Sequence, residues 1–105
     1  MCQSITLGSR GNTTINYCSK CKNHYIWQGA FILTFNSFQY DCFLEEINKK
    51  IGDEEYLGFP DGTSRILLPT PVQEILFTFS EDEWRDFTTV LQEAYYMREV
   101  YQLIN

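Results

Sequence analysis

The chain has 105 residues, with eight basic and 14 acidic side chains that give a formal net charge of −6. This length suits one ordinary domain over residues 1–105, and a composition of 44% hydrophobic and 16% aromatic residues excludes intrinsic disorder. The acidic balance disfavours nucleic acid and membranes as partners, because binding to nucleic acid or to anionic lipid depends on cationic side chains.

No hydrophobic segment predicts export or membrane insertion. The apolar runs fall well short of the roughly 20 residues that span a bilayer, and the segment after Met1 lacks the apolar core of a signal peptide. We therefore expect a cytoplasmic protein, whose cysteines stay reduced, bind metal or perform redox chemistry.

The charges are unevenly distributed along the chain. Residues 1–40 contain three basic and no acidic side chains, whereas residues 41–105 contain five basic and all 14 acidic ones. Such an asymmetric field favours contact with an acidic partner or with the other half of a second copy. The alternative interpretation is that a small protein has segregated a few surface charges by chance.

The first part of the chain predicts three antiparallel strands. β-forming residues at 13–18 and 24–27 flank a tight turn at Ser19-Lys20. The nearly all-apolar segment 30–35 follows a turn that contains glycine. We expect these segments to form a meander with 30–35 in a central position.

A helix follows directly after the third strand. Asn36 and Gln39 have the spacing of a capping box, and apolar residues from Tyr40 onward recur at helical intervals until Gly52 ends the pattern. Residues 52–64 contain three glycines and several charges, which predict an exposed loop.

The second half repeats the order of strand and helix. Strands are predicted at 65–68 and 74–79, on either side of a turn that contains two prolines. A second capping box at Ser80 and Glu83 begins a helix that runs to about residue 103. The order β-β-β-α-β-β-α predicts an α+β fold, in which two helices cover one face of an antiparallel sheet.

Residues 31–47 and 75–91 align without a gap and form quasi-repeats. The identical positions are Thr34 with Thr78, Phe35 with Phe79, and Phe43 with Phe87. We predict an internally duplicated strand–helix unit, although any such unit with a capping box would show part of this pattern.

The four cysteines include one C-x-x-C motif, at Cys18 and Cys21, between two predicted strands. A short β-turn that directs two thiolates at one point is the arrangement of a zinc knuckle, and a closed zinc site needs four ligands. His24, the only histidine, lies three residues after the motif, and Cys2 reaches the site if the N-terminal arm lies beside the strand at 13–18. We therefore predict a structural zinc site formed by Cys2, Cys18, Cys21 and His24.

Two alternatives stay open for the C-x-x-C pair. The thiols are either reduced and structurally inert, or they form a dithiol redox site, although a thioredoxin-like motif opens a helix rather than occupying a hairpin turn. A cysteine–histidine nucleophile with His24 is disfavoured because residues 1–40 supply no carboxylate. Cys42, beside the apolar helix position Phe43, is interpreted as a packing residue.

No other pattern predicts catalysis, so we expect no enzymatic activity. The sequence lacks the phosphate-binding glycine motifs and the zinc-protease motif. Aromatic residues lie near the end of the second helix, where they either cover the sheet of the same chain or form a homodimer interface. These residues are Tyr95, Tyr96, Met97 and Tyr101.

Several short features occur together along the chain. They are Met1-Cys2, the C-x-x-C motif, Leu33-Thr34-Phe35 followed by Tyr40 and Phe43, and the segment Leu76–Phe79 followed by Trp84 and Phe87. In this combination most of the chain resembles a family of short, uncharacterised proteins from Bacteroidetes. The resemblance implies no known activity and favours grouping Cys2 with Cys18 and Cys21. Many relatives have a histidine soon after the first cysteine, where this chain has Gln3-Ser4, and this difference leaves the fourth ligand open.

The sequence therefore predicts a small cytoplasmic binding or adaptor module for a protein partner, with a structural zinc. The alternative is a C-x-x-C dithiol redox protein. A zinc module needs Cys2 or His24 close to the pair, whereas a redox protein needs only the pair, with one thiol exposed.

Overall fold

The computed structural model of the chain describes residues 3–104. Its first four strands form one antiparallel sheet in the order β1-β2-β3-β4. These strands are β1 (Ile5–Arg10), β2 (Thr13–Cys18), β3 (Asn23–Gln28) and β4 (Phe31–Phe35). Short turns connect them, so strands that are adjacent in sequence are also neighbours in the sheet.

Two helices and a second sheet complete the fold. The remaining elements are α1 (Ser37–Lys50), β5 (Leu57–Gly58), β6 (Ser64–Pro69), β7 (Leu76–Phe79) and α2 (Glu81–Ile104). Strands β5, β6 and β7 form a three-stranded antiparallel sheet in chain order. The α+β class predicted from the sequence is confirmed.

Both helices pack on the same face of the four-stranded sheet. Because side chains alternate along a strand, the cross-strand partners Tyr17 and His24 point to one face, which we call the inner face. Helix α1 reaches this face where Tyr40 stacks on His24. Helix α2 crosses β1 at Gly8, where a Cβ atom would lie only 3.3 Å from the carbonyl oxygen of Val90. A larger residue at this crossing would push α2 away from the sheet.

One buried hydrophobic cluster joins the two sheets. It contains residues from both helices and from every described strand except β5. Helix α2 contacts strands of both sheets, and its buried residues Phe87 and Val90 lie in the middle of the cluster. Within the described residues, no helix is both long and apolar enough to cross a membrane.

The β4–α1 and β7–α2 units have the same local geometry. Each strand ends in a buried phenylalanine, one residue caps the helix, and a capping box closes the first turn. The matched buried positions are Phe35 and Phe79, Tyr40 and Trp84, Phe43 and Phe87, and Ile47 and Leu91. Shared geometry agrees with a repeat, and internal duplication as its origin stays a prediction.

The structure differs from the predicted strand order in four ways. The segment 30–35, expected to be central, forms β4 at the edge of the four-stranded sheet, and β5 lies in the segment 52–64 that is expected to be a loop. Strand β1 was not expected, because a β-bulge at Leu7 interrupts its alternation and Gly8 lacks the side chain that would complete the pattern. The single expected sheet is two sheets, since among the described residues β6 and β7 pair only with each other and with β5. The expectation of two helices on one face holds for the four-stranded sheet.

Candidate functional site at the cysteine turn

The turn between β2 and β3 contains the C-x-x-C motif and an unusual backbone conformation. The backbone N–H of Lys22 donates to the carbonyl oxygen of Cys18 at 2.8 Å, which closes the turn. Lys22 has a φ of 62°, in the left-handed region that favours glycine. A residue with a Cβ atom pays roughly 1–2 kcal/mol for this conformation. The turn is therefore closed at a local energetic cost.

The structure brings Cys18 and Cys21 into contact. Cys18 is fully buried and takes part in a disulfide bond, whereas Cys21 is an exposed free thiol. The Cys21 Sγ lies 3.2 Å from the Cys18 Sγ, and the Cys21 backbone N–H points at the same sulfur from 3.5 Å. Cys2, the third cysteine of the predicted zinc site, lies outside the described residues.

His24 points away from the two sulfurs. It is the cross-strand partner of Tyr17, so it lies on the inner face, whereas Cys18 follows Tyr17 and points to the outer face. Its ring stacks on Tyr40 with ring centroids 3.8 Å apart and planes 6° apart. Across residues 3–104, no three His, Cys, Asp or Glu side chains lie close enough to hold a metal ion.

Burial controls the charge state of His24. The side chain is 1% exposed, and neither ring nitrogen has a hydrogen-bond partner in the described part of the chain. Desolvation, which is the largest cause, and the positive charge of Arg98 together lower the pKa of His24 to about 4, although Asp41 opposes both effects. The imidazole is therefore neutral at pH 7.

Tyr40 and Arg98 lie next to His24 and form a buried group of polar side chains with it. Burial raises the pKa of Tyr40 well above its usual value, and its hydroxyl has no partner among the described residues. The Arg98 guanidinium lies 5.8 Å from the centre of the Tyr40 ring and 5.5 Å from that of Tyr95. One of its terminal nitrogens, Nη1, donates to Asp41 at 3.3 Å, whereas the buried Nε has no acceptor within residues 3–104.

A cavity of about 320 Å³ opens beside the cysteine turn. Residues from the N-terminal arm, β1, β2, the turn and α2 line it, and we call it the turn cavity. Its polar and aromatic lining consists of Gln3, Tyr17, Ser19, Lys22, Arg98, Tyr101 and Gln102. Two of these residues are cations, and none of the described lining residues is acidic.

No local pattern in the sequence predicts that Arg98 takes part in a site or that the turn cavity forms. The motif at Cys18 drew attention to the turn, but Arg98 lies 80 positions later in the chain. A weak signal was present: Arg98 is the only basic residue after Arg85 and follows Tyr95 by three positions on the same helix.

Cys42 was expected to be a packing residue, and the structure contradicts this expectation. Cys42 is an exposed free thiol. It lies on the outward side of α1, in a groove of about 450 Å³ whose lining includes Phe38, Phe43 and Pro69. The buried face of α1 contains Tyr40, Phe43 and Ile47. Cys42 lies between these positions on the helix and therefore points away from the core.

The aromatic residues at the end of α2 divide between core and surface. Met97 and Tyr101 pack against the buried cluster, whereas Tyr95 and Tyr96 are more than half exposed. The homodimer through α2 stays a prediction.

The chain matches no protein-family model, no curated protein and no solved structure. The resemblance to the Bacteroidetes family therefore stays a prediction, and the site must be interpreted from its own geometry.

Proposed function

We propose that the protein is a small thiol–disulfide exchange module that acts through Cys18 and Cys21. The observation that carries this proposal is the 3.2 Å contact between an exposed free thiol and a buried, disulfide-bonded sulfur. Exchange begins when a thiolate attacks a sulfur of a disulfide, so a free thiol beside such a sulfur is already at the reacting centre.

The same geometry gives less support to the zinc module. Two thiolates on one tetrahedral zinc, each about 2.3 Å from the metal, lie roughly 3.8 Å apart, which exceeds the distance between Cys18 and Cys21. His24 lies on the other face of the sheet. Of the predicted zinc ligands within residues 3–104, only Cys18 and Cys21 lie close together, and Cys21 is exposed, which supports a redox role.

The exchange step is balanced without an external oxidant. Cys21 loses its proton, and its thiolate forms a bond to the Cys18 Sγ. The sulfur previously bonded to Cys18 leaves as a thiolate and takes up a proton, so no electrons are gained or lost overall. A partner dithiol that then attacks exposed Cys21 is oxidised to a disulfide, while Cys18 and Cys21 return to thiols.

Tryptic mapping tests the proposal. The protein is equilibrated in glutathione buffers of graded redox ratio, quenched in acid and alkylated. Trypsin cuts after Lys20 and separates Cys18 from Cys21, so a disulfide between them joins two peptides. We expect this linked species to form reversibly in the wild type and in the Cys42→Ser control, which removes the other exposed thiol, and to be absent in Cys21→Ser.

Two outcomes would contradict thiol exchange. One is the absence of the linked peptides at every redox ratio. The other is native mass spectrometry of protein purified without chelator that shows one zinc per chain, lost in Cys18→Ser, because metal-bound thiolates are not available for exchange. That second result would support the zinc module instead.

We also propose, as a second candidate, a binding module, for a small ligand rather than for the protein partner expected from the sequence. The turn cavity supports it, because a concave site with a few convergent polar groups is the usual form of a small-ligand site.

A further inference from the structure

The turn cavity has the opposite charge to the molecule that contains it. The chain has a net charge of −6, yet the described lining of this cavity contains Lys22 and Arg98 and no acid. Charges that line a concave, partly desolvated site act more strongly than charges on an open surface. The local field of the cavity therefore favours an anion.

The charge of Lys22 is not balanced by a neighbour. Within residues 3–104 the ion pairs involve other cations, and Lys22 belongs to none of them. Its left-handed backbone would suit glycine or asparagine better. Because the backbone at this position favours a residue other than lysine, its presence is better explained by the positive charge that it places at the edge of the cavity.

The charge of Arg98 is only partly balanced. Its single ion pair among the described residues is the 3.3 Å contact with Asp41. Asp41 is not among the described lining of the turn cavity and instead lines the neighbouring cavity, which Arg98 also borders. The side chain of Arg98 is 14% exposed and its Nε lacks an acceptor. Because a buried donor without an acceptor costs free energy, an oxyanion ligand would satisfy the guanidinium better than solvent does.

The remaining walls favour a planar group. Tyr17 from β2 and Tyr101 from α2 both line the cavity and are both half-buried. Aromatic rings contact other planar rings at centroid distances of about 4.5–7 Å, and a volume of about 320 Å³ accommodates one such ring with a charged substituent.

We propose that the turn cavity binds a small aromatic oxyanion, either a carboxylate or a phosphate attached to one planar ring. Lys22 and Arg98 bind the oxyanion, and Tyr17 and Tyr101 contact the ring. The proposal rests on the binding module proposed above and is independent of thiol exchange, because neither Cys18 nor Cys21 is among the described lining residues.

Titrations of the full chain, followed by amide chemical shifts in NMR spectra, test the proposal. The probes are benzoate and phenyl phosphate, with benzamide as the neutral control and inorganic phosphate as the control without a ring. We expect saturable shifts at residues 17–22 and 98–102, and a Kd for the better anion at least tenfold lower than that of benzamide. The stronger of the two anions identifies the oxyanion.

A matched pair of variants locates the charge that matters. Lys22→Asn keeps a residue that tolerates the left-handed conformation and is expected to weaken binding of the better probe about tenfold. Lys20→Asn removes the same charge from the same turn, but Lys20 is not among the described lining residues, so less than a twofold change is expected. Cys21→Ser abolishes exchange and should leave the affinity within twofold of wild type.

Several results would overturn the proposal. The absence of saturable shifts with either anion would exclude the site. Equal weakening by Lys22→Asn and Lys20→Asn would show only diffuse attraction to the turn. Inorganic phosphate that binds as tightly as phenyl phosphate would exclude the ring contact.

Discussion

At the scale of single residues, His24 is a polar side chain held in an apolar environment. Neither ring nitrogen has a partner in the described chain, and the ring lies flat on Tyr40. An unpaired buried polar group costs about 1–3 kcal/mol, which the stacking and burial of the ring partly offset. Protonation would add a charge close to Arg98, so the folded state strongly prefers neutral His24.

This preference predicts a loss of stability in mild acid. The pKa of His24 is near its ordinary 6.5 in the unfolded chain and about 4 in the folded protein, so the unfolded state binds a proton first as the pH falls. The stabilisation is present above pH 6.5 and is lost between pH 6.5 and 4. We expect the free energy of unfolding in urea to fall by about 2 kcal/mol from pH 7 to pH 5.

His24→Phe is the control for the pH effect. Phenylalanine keeps a flat ring against Tyr40 but cannot titrate, so the decrease between pH 7 and pH 5 should largely disappear. A variant that retains the full decrease would assign the pH dependence to other groups.

At the scale of secondary structure, the two strand–helix units depend on their capping boxes. The Asn36 side chain accepts from the Gln39 backbone N–H at 2.8 Å, and the Gln39 side chain accepts from the Asn36 N–H at 3.0 Å. Ser80 and Glu83 repeat both bonds at 3.2 and 2.9 Å. Each box satisfies two N–H groups that the helix itself cannot.

Removal of either cap should therefore destabilise the protein by a similar amount. We expect Asn36→Ala and Ser80→Ala each to lower the free energy of unfolding by about 1 kcal/mol. Ser64→Ala, an exposed strand position, is the control and should change it by less than about 0.5 kcal/mol. Urea denaturation followed by circular dichroism measures all three, and a cap variant as stable as the control would show that its box contributes little.

The capping boxes also show how much of the fold the sequence determines locally. Asn36, Gln39, Ser80 and Glu83 act within one turn of their own helix, so spacing alone predicted both helix starts. Strand β1 depends on pairing with β2 and on contact between Gly8 and α2, and such nonlocal contacts leave little signal in the segment itself.

The candidate site also combines local contacts, which the sequence predicts, with nonlocal contacts, which it does not. The contact between Cys18 and Cys21 followed from their spacing, because both lie in one turn. The direction of His24 depends on strand register, and a shift of one residue would have turned it to the other face. Lys22 and Arg98 line the same cavity because of the way α2 lies across the sheet, and no local sequence pattern predicts that arrangement.

At the scale of the whole molecule, α2 is the element that joins the two sheets. The molecule measures 47 by 25 by 22 Å, and the 24 residues of α2 give a helix of roughly 36 Å. Trp84, near its start, packs against Phe79 of the second sheet, and Val90 lies over Gly8 of the first. A perturbation at one end of α2 should therefore reach the other sheet.

The two tryptophans allow a test of this coupling, because Trp27 lies in the four-stranded sheet and Trp84 packs on the second. Trp84→Phe leaves Trp27 as the only tryptophan, whose fluorescence is excited selectively, and shrinks a buried side chain. We expect the urea midpoint of Trp27 fluorescence to decrease together with that of circular dichroism, by an amount that corresponds to roughly 1–3 kcal/mol. An unchanged Trp27 transition would show that the two sheets unfold separately.

The left-handed conformation of Lys22 limits the stability of the protein. Glycine at this position would relieve the backbone cost and tighten the turn, so the protein lies below the stability that its own fold permits. If Lys22 binds an anion, the turn exchanges folding free energy for affinity, and a search for more stable variants of this chain would select against its ligand site.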